Sequence, residues 1–145
     1  MNLTTKFSAI FNLFLIPLLA TTLLFAGCNK DKDKVSEIKG MDFGEKITNL
    51  SELTSISSIV KLPKNFEGKK VTVKGIIASV CPSSGCNLFL GDGADQIKVD
   101  LKENGFNVPP GQNAGHIAFV SGTVRVNGDQ FKIVGTGVKI LEKND

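Results

Sequence analysis

Lys70-Val71-Thr72-Val73-Lys74-Gly75-Ile76-Ile77-Ala78-Ser79-Val80 is the stretch on which the fold turns. Its apolar residues recur with the period of two that a half-buried strand requires. Val71, Val73, Ile76 and Val80 are read as the inward set. Gly75 stands in the middle, where a strand interior tolerates glycine at a bulge or a bend. The same period continues downstream. Leu88-Phe89-Leu90 makes a second strand, Gly91-Asp92-Gly93-Ala94-Asp95 a turn, and residues 96–101 alternate Ile97, Val99 and Leu101 inward against Lys98 and Asp100 outward. Residues 104–115 form a loop around Pro109-Pro110-Gly111. Residues 117–126 are a fourth strand, and Asn127-Gly128 is a hairpin turn that returns the chain along residues 130–141.

Upstream the period changes. Leu50, Leu53, Ile56, Ile59 and Val60 recur at three- and four-residue spacing, with Ser51 able to cap, Glu52 in the first turn and Pro63 as a stop, so one helix is expected here. Five strands preceded by one helix, with glycines at 75, 122 and 135 to permit curling, predict a mainly β fold: a small five-stranded barrel over residues 42–145. The long glycine-broken first strand and the central loop between the third and fourth strands resemble the OB-fold.

The first 27 residues differ from everything after them. One charge, Lys6, precedes an apolar run from Ile10 through Ala26, and small residues stand at its exit, which are the three parts of a secretory signal. Leu24-Phe25-Ala26-Gly27-Cys28 resembles the bacterial lipobox, which implies cleavage before Cys28 and lipidation of its thiol. A membrane-spanning helix is the competing reading of this run. Pro17 interrupts it, and Asn29-Lys30-Asp31-Lys32-Asp33-Lys34 follows as a solvated charge run. Residues 28–41 are therefore read as a lipidated cysteine with a charged tether. The expected location is the cell envelope, with Asn29 after the lipidated cysteine favouring the outer membrane and the domain in the periplasm or at the cell surface.

Composition limits the function classes. The formal charge of +3 includes Lys6, which leaves with the signal, so nothing calls for a polyanionic partner. The chain has no Trp and no Tyr, and Phe43, Phe66, Phe89, Phe106, Phe119 and Phe131 are spread singly, which does not fit the stacked aromatics of a nucleic-acid-binding barrel. A single histidine and scattered carboxylates give no acid–base constellation, so an enzyme is not expected. The expected partners are the membrane, through the lipid, and an envelope protein or a glycan.

Cys81-Pro82-Ser83-Ser84-Gly85-Cys86 is the one constellation that carries chemistry. Pro82 and Gly85 are turn formers between two strands, which brings the cysteines together. Three readings are open: a structural disulfide, natural in an oxidising compartment with an even pair left after Cys28; a soft metal site for copper or zinc, with His116 as a third ligand beside Cys81 and Cys86; and a thiol redox switch. No cofactor is required by the first.

Phe43-Gly44-Glu45, Phe66-Glu67-Gly68-Lys69-Lys70-Val71-Thr72-Val73-Lys74-Gly75, Val80-Cys81 and Gly85-Cys86 together are similar to a bacterial domain family of unknown function. Its members are short exported proteins with a turn reading Cys, three or four residues, Gly-Cys-Trp, and a Val-Pro near the central loop, matched here by Val108-Pro109. Asn87 stands where the family carries Trp. The resemblance implies a fold and a candidate site, and no reaction. On these grounds the expected function is that of a membrane-anchored envelope lipoprotein with an OB-like binding domain, the alternative being a thiol-based metal-handling protein. In cells given labelled palmitate, Cys28→Ser should abolish incorporation into this chain and leave the uncleaved precursor; continued labelling would remove the anchor.

Overall fold

In a computed structural model of the protein, residues 39–111 and 113–142 are described. The signal segment, Cys28 and most of the tether lie outside them. Among the described residues no helix is long and apolar enough to cross a membrane.

The described residues form a mainly β fold with six strands: β1 (Gly40–Gly44), β2 (Lys70–Val80), β3 (Asn87–Gly91), β4 (Gln96–Asp100), β5 (Ile117–Asn127) and β6 (Gln130–Leu141). Five of them close into an OB-like barrel in the order β6-β4-β3-β2-β5, with β5 returning to β6. Every pairing is antiparallel except β4 with β6, which is parallel through Val99↔Ile133 and Asp100↔Val134. The sixth strand, β1, lies outside the ring and pairs with the end of β6, from Gly40↔Leu141 to Gly44↔Gly137. Gly40 and Met41, read from sequence as the end of the tether, therefore belong to the folded domain. The register puts Asp42 opposite Lys139, and a 3.1 Å ion pair joins them, with the lysine buried.

The two-residue period holds in β2 without a break from Val71 to Ile77, so the expected inward Ile76 is replaced by Ile77. Val71, Val73 and Ile77 face the core, whereas Ile76 is 50% exposed. The strand serves two neighbours: residues 70–76 pair with β5 and residues 76–80 with β3, where the register skips between Ile77 and Ser79. The bulge thus lies beyond Gly75. At Gly75 the demand is close approach, since a Cβ there would stand 2.5 Å from the Gly91 carbonyl oxygen and 2.9 Å from Ile56 Cδ1. A second irregularity, between Ser121 and Gly122, lets β5 bend over β6.

The helix is shorter than its spacing predicts. α1 covers only Ile56–Lys61, and residues 45–54 form an irregular arm with bends at Glu45, Ser51 and Glu52, pinned where Thr54 N–H donates to the Thr72 carbonyl at 2.7 Å. Ser51 caps nothing; its hydroxyl bonds the Asn49 side chain at 2.6 Å. Ser55 takes the N-cap position without a side-chain bond, and Asp92 of the β3–β4 turn supplies the acceptor, receiving Ser57 N–H at 3.1 Å. Asp95 N–H and then the Ser57 hydroxyl hold the Asp92 carboxyl below its ordinary range. The apolar face that α1 does bury is Ile56 and Ile59, which cover one end of a core built on Ile77, Leu90, Val99 and Val120. Pro63 ends the helix and begins a 3-10 turn, Pro63–Phe66.

A helix of this register makes Ile59 structural and Leu53 incidental. Ile59→Ala should cost about 2–5 kcal/mol in urea unfolding, while Leu53→Ala, 44% exposed on the arm, should stay within about 0.5 kcal/mol. Equal losses at the two positions would contradict the short helix.

Candidate functional site: the Cys81/Cys86 turn

Residues 81–86 connect β2 to β3, and four backbone hydrogen bonds hold them. Cys81 N–H donates to the Asn87 carbonyl at 2.9 Å, continuing the β2–β3 ladder, and Gly85 N–H donates to the Cys81 carbonyl at 3.0 Å. The far half of the turn is fastened to the barrel: Val108 N–H donates to the Gly85 carbonyl at 3.1 Å and Leu101 N–H to the Cys86 carbonyl at 2.9 Å. Only glycine fits at 85. Its φ is +62°, and a Cβ there would lie 1.7 Å from the Val108 carbonyl oxygen. Gly85-Cys86 and Val108-Pro109, distant in sequence, thus form one structural unit. Buried Asn113 supports it from the loop, donating from Nδ2 to the Pro109 carbonyl at 2.9 Å.

Both cysteines are free thiols in the structure, each half-buried. Their surroundings differ. Cys81 Sγ lies 3.4 Å from Ser83 Oγ and 3.7 Å from Ser84 Oγ at the exposed tip of the turn. Cys86 Sγ receives the Asn87 side-chain N–H at 3.5 Å in a part-buried position. The Ser83 hydroxyl, followed by that of Ser84, stabilises the Cys81 thiolate and lowers its pKa to about 6. A thiol in that state is mostly ionised at neutral pH and nucleophilic.

His116 is not part of this arrangement. Its carbonyl accepts Ile77 N–H at 2.9 Å, its N–H donates to Asn113, and its Nδ1 is buried without a partner among the described residues. No group of three or more His, Cys, Asp or Glu able to hold a metal ion occurs among the described residues. Cys81, Cys86 and His116 are thus not brought together as a group of three: the backbone ladder sets the histidine beside Ile77, just before β5.

Sequence reading missed a second feature. A groove of about 380 Å³ lies between the 45–54 arm and the outer face of β2, β5 and β6. Thr48, Thr54, Thr72, Ser121 and Thr136 bring hydroxyls to it, and Glu45, Lys46, Glu52 and Lys70 bring charges of both signs. Thr72 and Ser121 are register partners whose hydroxyls are 3.4 Å apart. The available signal was the run of Thr and Ser at outward strand positions, which reads equally as ordinary solvated surface.

The phenylalanines do not form a stacking platform. Phe119 is buried, Phe43, Phe66, Phe106 and Phe131 pack against the core, and Phe89 is 39% exposed.

With Cys86→Ser to isolate the other thiol, iodoacetamide labelling of Cys81 should rise with a midpoint near pH 6. Adding Ser83→Ala and Ser84→Ala should move that midpoint up toward about 8.5, the ordinary thiol value. A midpoint unmoved by the serine changes would remove their role.

No family model and no curated protein matches the chain. Among solved structures, the chain is similar to the hypothetical protein ygiW from E. coli, at 20% identity over 68% of this chain and 99% of that one, with a TM-score of 0.47. It is likewise similar to the OBody AM1L10 bound to hen egg-white lysozyme, at 17% identity over 67% of this chain and all of that one, with a TM-score of 0.47.

Proposed function

We propose that the chain is a membrane-anchored envelope lipoprotein whose OB-like barrel binds a small polar ligand, of saccharide type, in the groove between the 45–54 arm and the sheet. The groove carries this reading. Its volume, about 380 Å³, falls within the range of small-molecule sites. Its lining residues carry five hydroxyls, one amide from Asn49, two carboxylates and two ammonium groups, with the Thr72 and Thr136 hydroxyls donating to Ser121 and the Asn49 side chain accepting from Ser51. Donors and acceptors of balanced charge match a neutral, many-hydroxyl molecule better than an anion or a hydrocarbon. The anchoring part of the proposal rests on the lipobox resemblance at Cys28, and it places the groove among the glycans of an envelope.

The alternative, copper or zinc handling by Cys81 and Cys86, has less behind it, because those two thiols would have to serve without a third protein ligand among the described residues.

Titration of the isotope-labelled protein with an N-acetylglucosamine disaccharide tests the groove. Amide shifts are expected at Thr48, Thr54, Thr72 and Ser121, and Thr72→Val with Ser121→Ala should weaken binding roughly thirtyfold, each of the two lost hydrogen bonds to a neutral partner being worth about 1 kcal/mol. Shifts confined to other faces of the barrel, or none at millimolar saccharide, would sink the reading.

A further inference from the structure

We propose that the Cys81/Cys86 turn is a dithiol site that reduces exposed disulfides, with Cys81 as the attacking thiol and Cys86 as the resolving one. The inference draws on neither the groove nor the anchor. It rests on the unequal settings of two cysteines within one turn. Cys81 lies against the surface tip, with the Ser83 and Ser84 hydroxyls at its sulfur. Cys86 is fixed from behind, its carbonyl bonded to Leu101 N–H and its neighbour Gly85 seated on Val108. An incoming disulfide meets the first sulfur before the second, which is the order that exchange requires. A turn built only to hold a bridge has no need of two hydroxyl oxygens within 3.4 and 3.7 Å of one of its sulfurs. The backbone bond from Cys81 N–H to the Asn87 carbonyl closes the turn without help from the sulfurs.

The chemistry balances without a further reagent. The Cys81 thiolate attacks one sulfur of the substrate disulfide; an S–S bond forms there as the substrate's own breaks, and the departing thiolate takes a proton. Cys86, deprotonated in turn, attacks Cys81 Sγ, forms the internal disulfide and releases the second substrate thiolate, which is protonated. Two electrons pass from the dithiol to the substrate, and the two thiol protons end on the two products.

The test uses the full chain, reduced and in detergent, with oxidised glutathione as the probe and mass spectrometry as the readout. Cys86→Ser is expected to accumulate one glutathione on Cys81. Wild type should end with an internal bridge, no adduct and two reduced glutathiones released. Cys81→Ser should react at Cys86 on the order of tenfold more slowly. Ser83→Ala with Ser84→Ala should slow wild-type exchange several-fold with both cysteines in place, which keeps the test readable should a cysteine variant fail to fold. Equal rates at the two cysteines, or a wild type that stops at a stable glutathione adduct, would overturn the proposal. So would an exchange rate of wild type that the two serine changes leave unmoved, as expected of a bridge that only staples the turn. Stoichiometric copper or zinc masking both thiols until chelated would overturn it in favour of metal binding.

Discussion

The barrel depends on a contact of two residue pairs. β4 meets β6 in parallel at Val99↔Ile133 and Asp100↔Val134, and without that join the β2–β3–β4 meander and the β5–β6 hairpin would share only the β2–β5 ladder. Two features permit the join. Gly135 leaves room, since a Cβ there would stand 2.8 Å from Leu101 Cδ2 and 3.0 Å from Val99 Cγ1. Lys132 reaches Asp100 at 2.8 Å and Glu103 at 2.7 Å, which holds the Asp100 carboxyl below its ordinary range and the lysine above its own. Closure then sets the thiol turn, because Leu101, the residue after β4, donates the bond that fixes Cys86.

Strand existence was legible in the sequence because burial on one face imposes a period of two wherever it occurs. Residues 130–141, read as the returning strand of the hairpin, are the bounds of β6. What failed was parity and pairing. Counting by two from Val71 and Val73 reaches Gly75 and Ile77, and an inward set that takes Ile76 breaks that count. The helix was over-read because Leu50 and Leu53 keep helical spacing by coincidence. They lie on an arm whose backbone bonds to β2, and β-branched and hydroxyl residues there lose little by staying out of a helix. β1 was missed because five residues bounded by glycines, with only Met41 and Phe43 apolar, give no strand pattern; its strand state comes from β6.

The candidate site was legible as a pair of cysteines in a turn, and no further. Type and spacing marked Cys81 and Cys86, and Gly85 was read as a turn former. Its actual constraint, contact with the Val108 carbonyl, joins two segments that no local pattern connects. Ser83 and Ser84 carry no signal in sequence as partners of a thiol, since serine in a turn is ordinary. His116 was drawn toward the thiols only as the one remaining imidazole. The groove is less legible still, because its walls come from four separate segments.

The place of β1 bears on how the domain carries mechanical load. Tension arriving from the chain before Gly40 acts at the first register pair, Gly40↔Leu141, and strips the strand from β6 one pair at a time, the weak direction for a ladder. The third pair it meets is Asp42↔Lys139, where the ion pair adds resistance. Past Gly44 the next segment to feel the pull is the 45–54 arm, one wall of the groove. The barrel proper stays shielded behind these steps. A pull on the chain before Gly40 would therefore open the groove before it disturbed the barrel.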